Sequence, residues 1–281
     1  MSPLVVGLIL VAAVFHASWN AMLKAAENPL ALAARAVAFG TLATFPPVAV
    51  FWVIQDRPGL PVGAWLLVML SAGLELFYFI ALSAAYQRGE LSAVYPIARG
   101  TAPLLAVLVG LLLLRERIHS EALIGILLLL GGIWAVRRPS PAGSALVPAL
   151  LTGVVIAAYS SIDRIGVRLG PPWLYGWLLW FFAASFLQLY ARIARVAGAA
   201  FSREPRTSVV VGVLMTTAYF MILFALSAAP LAVVAPLRES AIVLVSVWGI
   251  WRLRERRGAW LRFGGAIAIL AGVGLLAISR A

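Results

Sequence analysis

Five charged side chains lie inside strongly apolar segments of this sequence, where each needs a partner or a function. They are Glu75, Arg99, Asp163, Arg238 and Glu239. A charge at the centre of a lipid bilayer costs about 2.5–3.5 kcal/mol on insertion scales. The arginines offer a planar fork of donors that fits a carboxylate or a phosphate. The carboxylates can hold an ammonium group or take up a proton as a coupling ion, so these residues together predict a polar central cavity.

A structural interpretation of the same charges also stays open, in which they pair with each other and only hold helices together. Arg238 and Glu239 are adjacent and lie on different faces of a helix, so both interpretations apply to them. Glu75 has no basic neighbour one turn away in its own segment, which favours a function. Tyr78 follows three residues later on the same helical face and is predicted to line the cavity.

Polar residues at matching depth in two further segments extend this predicted cavity. The first segment carries His16, Trp19 and Asn20, and its counterpart carries Tyr159 and Asp163. The alternative is hydrogen bonding between helices, worth about 0.6 kcal/mol for each bond. Candidates to carry a proton are Glu75, Asp163 and His16. The full predicted substrate-binding set is Trp19, Asn20, Glu75, Tyr78, Tyr95, Arg99, Tyr159, Asp163, Arg238 and Glu239.

The segments that must position these residues are long and apolar. Hydrophobic residues form 63% of the chain, charged residues form 11%, and the mean hydropathy is +1.02, so lipid must be the solvent for most of it. A membrane barrel needs short alternating strands, and nothing alternates for long. A span needs about 20 mostly apolar residues, which predicts ten helices. Their predicted ranges are 3–23, 30–54, 62–86, 91–114, 120–136, 145–166, 172–192, 208–228, 231–251 and 258–279.

Composition also excludes several classes of function. The chain has no cysteine and only two histidines, which excludes thiolate chemistry and makes a metal site unexpected. It carries no nucleophile elbow, phosphate loop or zinc-protease motif, so we expect neither an enzyme nor a cofactor. The net charge of +12 comes from arginines in short loops between apolar runs. That placement indicates lipid headgroups as partners and not nucleic acid.

The chain repeats itself over its two halves. Leu-Arg-Glu-Arg at 114–117 returns at 253–256, and the same offset of 139 places Arg99 on Arg238. Five spans per half is an odd number, so two homologous halves joined in sequence must have opposite orientations. The predicted fold is an all-α integral membrane protein of ten transmembrane helices in two inverted five-helix repeats, residues 1–140 and 141–281. The shared arginines and Arg-Glu-Arg loops are expected to act as scaffold and gate.

Two further patterns concern packing and orientation. Glycines seven residues apart, Gly125 with Gly132 and Gly265 with Gly272, predict close helix contacts within the chain or in a homodimer. The loops after the odd-numbered spans hold about twelve basic residues and the opposite loops about six. By the positive-inside rule this count places both termini outside.

The chain resembles the EamA branch of the drug/metabolite transporter superfamily. The resemblance rests on the ten spans in two halves, the repeated Arg-Glu signature, the Gly-rich fifth helices and the stretches 16–20 and 158–163. It implies a multi-pass carrier of the bacterial inner membrane, often an exporter of amino acids or other small metabolites. It also implies alternating access, often proton exchange, and termini in the cytoplasm, which conflicts with the charge count.

Four functional hypotheses follow. A cavity with both arginines and carboxylates matches a zwitterion, so the leading one is a secondary active exporter of amino acids. A multidrug exporter of aromatic cations would use a buried carboxylate and aromatic walls instead. A carrier of phosphate or phosphonate metabolites would need the arginines clustered at one point. A membrane scaffold without transport would have all inner charges paired and no cavity.

Overall fold

The described part of the chain is almost entirely helical, and its ten α-helices lie at the predicted segments. The computed structural model describes residues 2–89, 91–136, 143–199, 205–241 and 259–278, which contain no β-strand. Except for the fourth, whose last predicted residues form a π-helical turn, and the ninth, the helices fall within about three residues of the predicted ranges. They are α1 (Pro3–Ala25), α2 (Pro29–Ile54), α3 (Val62–Arg88), α4 (Leu91–Leu108), α5 (Ser120–Val136), α6 (Leu146–Gly166), α7 (Pro172–Ile193), α8 (Pro205–Ala228), α9 (Leu231–Arg238) and α10 (Ala259–Ile278).

Within the described residues, six helices are long and apolar enough to cross a membrane. These are α1, α2, α3, α6 with its 3₁₀ lead-in, α7 and α8. Shorter apolar stretches lie in the remaining part, at Ile97–Leu113, Ser120–Ala135 and Gly264–Ile278. The first includes a π-helical turn, Val109–Leu113, that ends α4.

Short turns connect successive helices, so the chain alternates between two ends of the bundle. We call the end that holds the start of α1 the near face, and the other end the far face. At the far face Lys24, in the last turn of α1, donates hydrogen bonds to the carbonyl oxygens of Tyr86, at 2.6 Å, and Gly89, at 3.0 Å. A cation thereby satisfies carbonyl groups left open at the end of α3.

The ninth predicted span is interrupted where its charges lie. It was expected to run from 231 to 251, but α9 ends at Arg238 and a 3₁₀ turn, Glu239–Ala241, follows. Residues 242–251 lie outside the described part of the chain. Pro236 stands inside α9 and removes a backbone donor, which favours a change of helical geometry in this region. The turn holds Arg238 and Glu239 deep in the bundle.

Glycines let α5 and α10 touch through their backbones. A Cβ added to Gly272 would lie 2.6 Å from the carbonyl oxygen of Gly125, and one added to Gly132 would lie 2.6 Å from that of Gly265. The order of these contacts makes the two helices antiparallel. The predicted close packing at the glycines therefore occurs within the chain, between the fifth helix of each half.

A second pair of corresponding helices, α2 and α7, is also antiparallel. Gln188 donates to the carbonyl oxygen of Ala34 at 3.0 Å, and the Trp177 indole donates to that of Thr41 at 3.3 Å. Higher numbers on α7 thus face lower numbers on α2. Around these pairs, α1 packs against α8 and α3 packs against α6.

Candidate functional site

The predicted charges meet in one buried cluster at the centre of the bundle. Its members come from α3, α4, α6, α8 and the end of α9, and none of them is more than 8% exposed. We call this set the central cluster. It comprises Glu75, Tyr78, Arg99, Tyr159, Asp163, Tyr219, Arg238 and Glu239.

One ion pair in the central cluster joins the two halves of the chain. Arg99 Nη1 donates to Glu239 Oε1 at 3.0 Å, and both side chains are buried. Glu239 also forms a longer salt bridge with its neighbour Arg238, whose Nε atom lies 3.8 Å from the same oxygen. A buried pair of this kind compensates two charges that would each be costly alone. The structural interpretation therefore applies to Arg99 and Glu239.

Arg238 is placed differently from Arg99. Apart from its 3.8 Å contact with Glu239, its Nε atom has no hydrogen-bond partner among the described residues, although it is buried. Its charge acts on both Glu75 and Tyr159. A buried guanidinium donor without a partner is costly unless a ligand or water completes it. Arg99 Nη2 is also buried without a hydrogen-bond partner in the described residues, but Arg99 already donates to Glu239 through Nη1. Arg238 is thus the less engaged of the two arginines.

Asp163 is held by phenol groups from two other helices. Tyr175 on α7 donates to Oδ1 at 2.9 Å, and Tyr219 on α8 donates to Oδ2. Gly166 makes the first contact possible, because a Cβ there would overlap the Tyr175 ring and lie 2.6 Å from its hydroxyl oxygen. Ser71 on α3 is buried beside the same carboxylate.

Glu75 completes the carboxylates of the central cluster. The charges of Asp163 and Arg238 have the strongest electrostatic effects on the Glu75 carboxylate, and the Tyr219 hydroxyl lies beside it. In the described part of the chain, neither Glu75 nor Asp163 takes part in a salt bridge. Counting Arg99, Arg238 and the three carboxylates as ionised, the cluster carries one excess negative charge.

Aromatic rings form one side of the central cluster. Tyr78 and Tyr159 meet edge to face with centroids 5.8 Å apart, and Tyr159 lies 6.1 Å from Tyr219, which in turn contacts Trp180 at 5.5 Å. The hydroxyl of Tyr78 and the indole nitrogen of Trp180 are buried with no hydrogen-bond partner among the described residues. Several buried polar atoms that lack hydrogen-bond partners are typical of a site that holds water or a polar ligand.

The first helix borders the central cluster through His16. His16 packs edge to face on Trp19, with centroids 4.6 Å apart, and its nearest charges are Arg99 and Arg238. Asn20 accepts a hydrogen bond from Tyr86 at 2.9 Å and donates to the His16 carbonyl, so its contacts lie toward the far face. Tyr95 belongs to α4, but its side chain lies outside the described part of the chain.

A second polar site closes the near face, and the sequence did not reveal its geometry. Glu116 accepts hydrogen bonds from the backbone nitrogens of Leu231, at 2.8 Å, and Ala232, at 3.0 Å, at the start of α9. Arg164 at the end of α6 donates to Glu116 Oε1 at 3.0 Å and also to the carbonyl oxygen of Leu226 at the end of α8. We call Glu116 with Arg164 the near-face latch. A carboxylate at a helix N-terminus is stabilised by the helix dipole and by open backbone donors.

Only part of the near-face latch could have been found in the sequence. Glu116 belongs to the repeated Leu-Arg-Glu-Arg motif, which marked it as scaffold or gate. Its target depends on the π-helical end of α4 and on Arg115, whose φ of 51° turns the chain toward α9. Arg164 directly follows Asp163 and was not singled out. Tyr175 and Tyr219 stand in aromatic-rich stretches of α7 and α8, and their contact with Asp163 was not predicted.

Long apolar helices around a buried cluster of charges define a multi-pass membrane protein with a polar core. Residues 3–138 match the model of the EamA-like transporter family, over the part of the chain that forms α1 to α5. This part of the chain belongs to that family, as the resemblance to the EamA branch predicted, and the match supports a membrane transporter.

One solved structure shares the fold over nearly the whole chain. It is described only as "Crystal structure of protein", and its TM-score is 0.71 at 19% sequence identity. The alignment covers 97% of this chain and 98% of that chain, so the likeness extends beyond the half matched by the family. At this identity the likeness concerns the fold alone. No curated protein sequence matches the chain.

Proposed function

We propose that this protein is a secondary active transporter that exports amino acids or related zwitterions from a bacterium across its inner membrane. The observation that carries the proposal is the pairing pattern of the central cluster. Arg99 and Glu239 are hydrogen-bonded to each other, whereas Arg238 acts electrostatically on Glu75 and neither of these two has a close salt bridge in the described residues. A guanidinium and a carboxylate that both lack a close salt bridge fit a zwitterionic substrate, which carries one charge of each sign.

The proposed binding mode follows from the chemistry of these groups. The Arg238 fork receives the substrate carboxylate, and Glu75 receives its ammonium group. Tyr78 and Tyr159 form the flat surface against which the rest of the substrate packs. The remaining members of the proposed site are Trp19, Asn20, Tyr95, Arg99, Asp163 and Glu239.

Alternating access is proposed to use two inverted repeats of five transmembrane helices, residues 1–140 and 141–281. The antiparallel pairs α5 with α10 and α2 with α7 support this, because each joins helices at the same position in the two halves. The packing of α1 on α8 becomes that of α6 on α3 when the halves are exchanged. Both relations are expected for a pseudo-two-fold axis in the membrane plane.

The near-face latch is proposed as a gate of this cycle. It ties the end of α6 to the loop after α4 and to the start of α9, so it spans both halves. Access from the near face requires these contacts to separate. Glu75 and Asp163 are proposed to carry the coupling proton, because proton uptake by one of them would remove the excess negative charge of the central cluster.

Counterflow in proteoliposomes tests the proposal. Glu75→Gln and Arg238→Ala are expected to abolish amino-acid counterflow while the protein still inserts and elutes as a folded species. Arg192→Ala is the matched control, because Arg192 is an exposed cation at the end of α7. Unchanged counterflow of all tested amino acids in both cluster variants would contradict the proposal.

An exporter of aromatic cations is the second candidate. The row of rings from Tyr78 through Tyr159 to Tyr219, next to Glu75, favours it. Cation–π contacts would contribute roughly 0.5–2 kcal/mol each. In that case Arg238→Ala leaves dye transport intact and Glu75→Gln abolishes it. A carrier of phosphate or phosphonate compounds fits less well, because Glu239 already engages Arg99.

A further inference from the structure

A groove between α3 and α6 opens on the outer surface of the bundle at the far face. Its volume is about 400 Å³, and residues three or four positions apart on each helix line it. Phe77 and Leu151 in its wall are 61% and 51% exposed, which places the groove on the surface that lipid covers. Ala81 and Ala84 keep it open because their side chains are small.

The groove changes from apolar to polar along its length. Its wall is apolar from Leu74 to Ala84 and ends at Arg88 and Ser144, the last residue of α3 and a residue of the turn before α6. Arg88 is exposed and forms no salt bridge in the described part of the chain. From Phe77 to Arg88 the helix rises about 16 Å, close to half of a hydrocarbon core about 30 Å thick.

We propose that this groove binds an anionic phospholipid, with its phosphate on Arg88 and Ser144 and one acyl chain along α3 and α6. The depth matches the chain of a lipid in one leaflet. The guanidinium and the hydroxyl supply donors for phosphate oxygens, and the apolar wall supplies contact area for the chain. Basic residues between transmembrane helices at a membrane surface are a recurrent setting for anionic headgroups.

The corresponding groove between α1 and α8 provides a natural comparison. A groove of about 910 Å³ at the near face is lined in part by Leu4 and Leu8 of α1 and Met221 and Phe224 of α8. These positions correspond to those of the α3–α6 groove at offsets of 143 and 144. Its lining residues carry no charge. We therefore expect it to accept acyl chains without preference for the headgroup, and only the Arg88 groove to select an anion.

Native mass spectrometry of the purified full chain tests the proposal. Phosphatidylglycerol and phosphatidylcholine with identical acyl chains are titrated separately, and the Kd for the first bound lipid is measured. The unaltered protein is expected to prefer phosphatidylglycerol at least tenfold. Arg88→Gln removes the preference, whereas Arg192→Gln, which removes a charge from the same face, retains it. Ala84→Phe fills the groove and weakens phosphatidylglycerol binding, with a melting temperature measured in parallel to check folding.

Two outcomes overturn the proposal. Equal loss of preference in Arg88→Gln and Arg192→Gln means that only the general charge of the far face attracts the lipid. Equal thermal stabilisation by glycerol phosphate and by phosphatidylglycerol means that the site binds free phosphate compounds and not a lipid. Arg88→Gln lies at an exposed position and is expected to fold, so the result does not depend on the bulkier substitution.

Discussion

Arg99 and Glu239 lie 140 positions apart in the chain and are joined by a 3.0 Å hydrogen bond at the centre of the bundle. The repeat makes Arg238 the counterpart of Arg99, yet Arg238 does not mirror that bond. Two equivalent arginines therefore differ in their contacts. Arg99 donates to a carboxylate of the other half, whereas Arg238 has an Nε atom without a hydrogen-bond partner in the described residues and is the one we propose for substrate binding.

Alanine at the two arginines is expected to give different defects. Arg99→Ala leaves Glu239 buried without its partner, which costs about 3–5 kcal/mol and lowers the melting temperature strongly. Arg238→Ala removes a weakly engaged donor and is expected to lower the melting temperature less and to raise the transport KM at least tenfold. Thermal melting in detergent and transport kinetics separate the two effects. Equal destabilisation by both variants would contradict this difference between the two arginines.

Removing the phenol groups that hold Asp163 is expected to weaken the bundle. A hydrogen bond to a charged group contributes about 1.5–3 kcal/mol, so Tyr175→Phe and Tyr219→Phe each lower thermal stability by that order. Tyr190→Phe on α7 is the control, because Tyr190 has no hydrogen bond from its hydroxyl in the described residues. Differential scanning fluorimetry gives the comparison. Similar melting temperatures for all three variants would show that these bonds add nothing.

Weakening the near-face latch is expected to open the near face. Glu116→Gln removes the charge that binds Arg164 and the start of α9, whereas Glu121→Gln, at an exposed position in the first turn of α5, leaves the latch intact. The chain has no cysteine, so a single Ser160→Cys reports access to the buried interior. We expect faster labelling by a water-soluble maleimide from the near face in Glu116→Gln only. Equal labelling rates in both backgrounds would remove the latch from the gating mechanism.

Neighbouring glycines on α5 are expected to tolerate alanine differently. An added Cβ at Gly132 would lie 2.6 Å from the Gly265 carbonyl oxygen, whereas at Gly131 nothing lies within 4 Å. Overpacking of this kind costs about 1–3 kcal/mol, so Gly132→Ala should lower the melting temperature. Gly131→Ala should leave it unchanged or raise it, since alanine favours helix. The reverse order of melting temperatures would contradict the α5–α10 contact.

The sequence predicted what depends on composition and spacing within one segment. Apolar runs located the helices, and charges such as Glu75 and Asp163 stood out because lipid excludes them. The glycine spacing predicted a close contact but not its partner, since a helix face does not specify which helix it meets. Arg99 was recognised as buried, but its bond to Glu239 depends on where α9 ends, and that end depends on a local change of helical geometry.

Contacts made by irregular backbone were beyond sequence analysis. Glu116 contacts α9 because a π-helical turn and a residue with left-handed backbone geometry, Arg115, follow α4. No residue pattern in the sequence predicts either feature. Tyr175 reaches Asp163 because Gly166 leaves room for its ring. The first contact joins segments 115 residues apart through irregular backbone, and the second depends on the absence of one side chain.

The contact between α5 and α10 also sets an order of biosynthesis. The start of α10 leaves the ribosome about 120 residues after the end of α5, which at about 5–20 residues per second is roughly 6–25 s. During that interval the face of α5 with Gly125 and Gly132 has no α10 to cover it. A nascent chain therefore inserts α1 to α5 before α5 can finish packing, and the later synthesis of α10 completes that contact. Ribosome stalling before residue 259 would leave that glycine face open to membrane quality-control proteases.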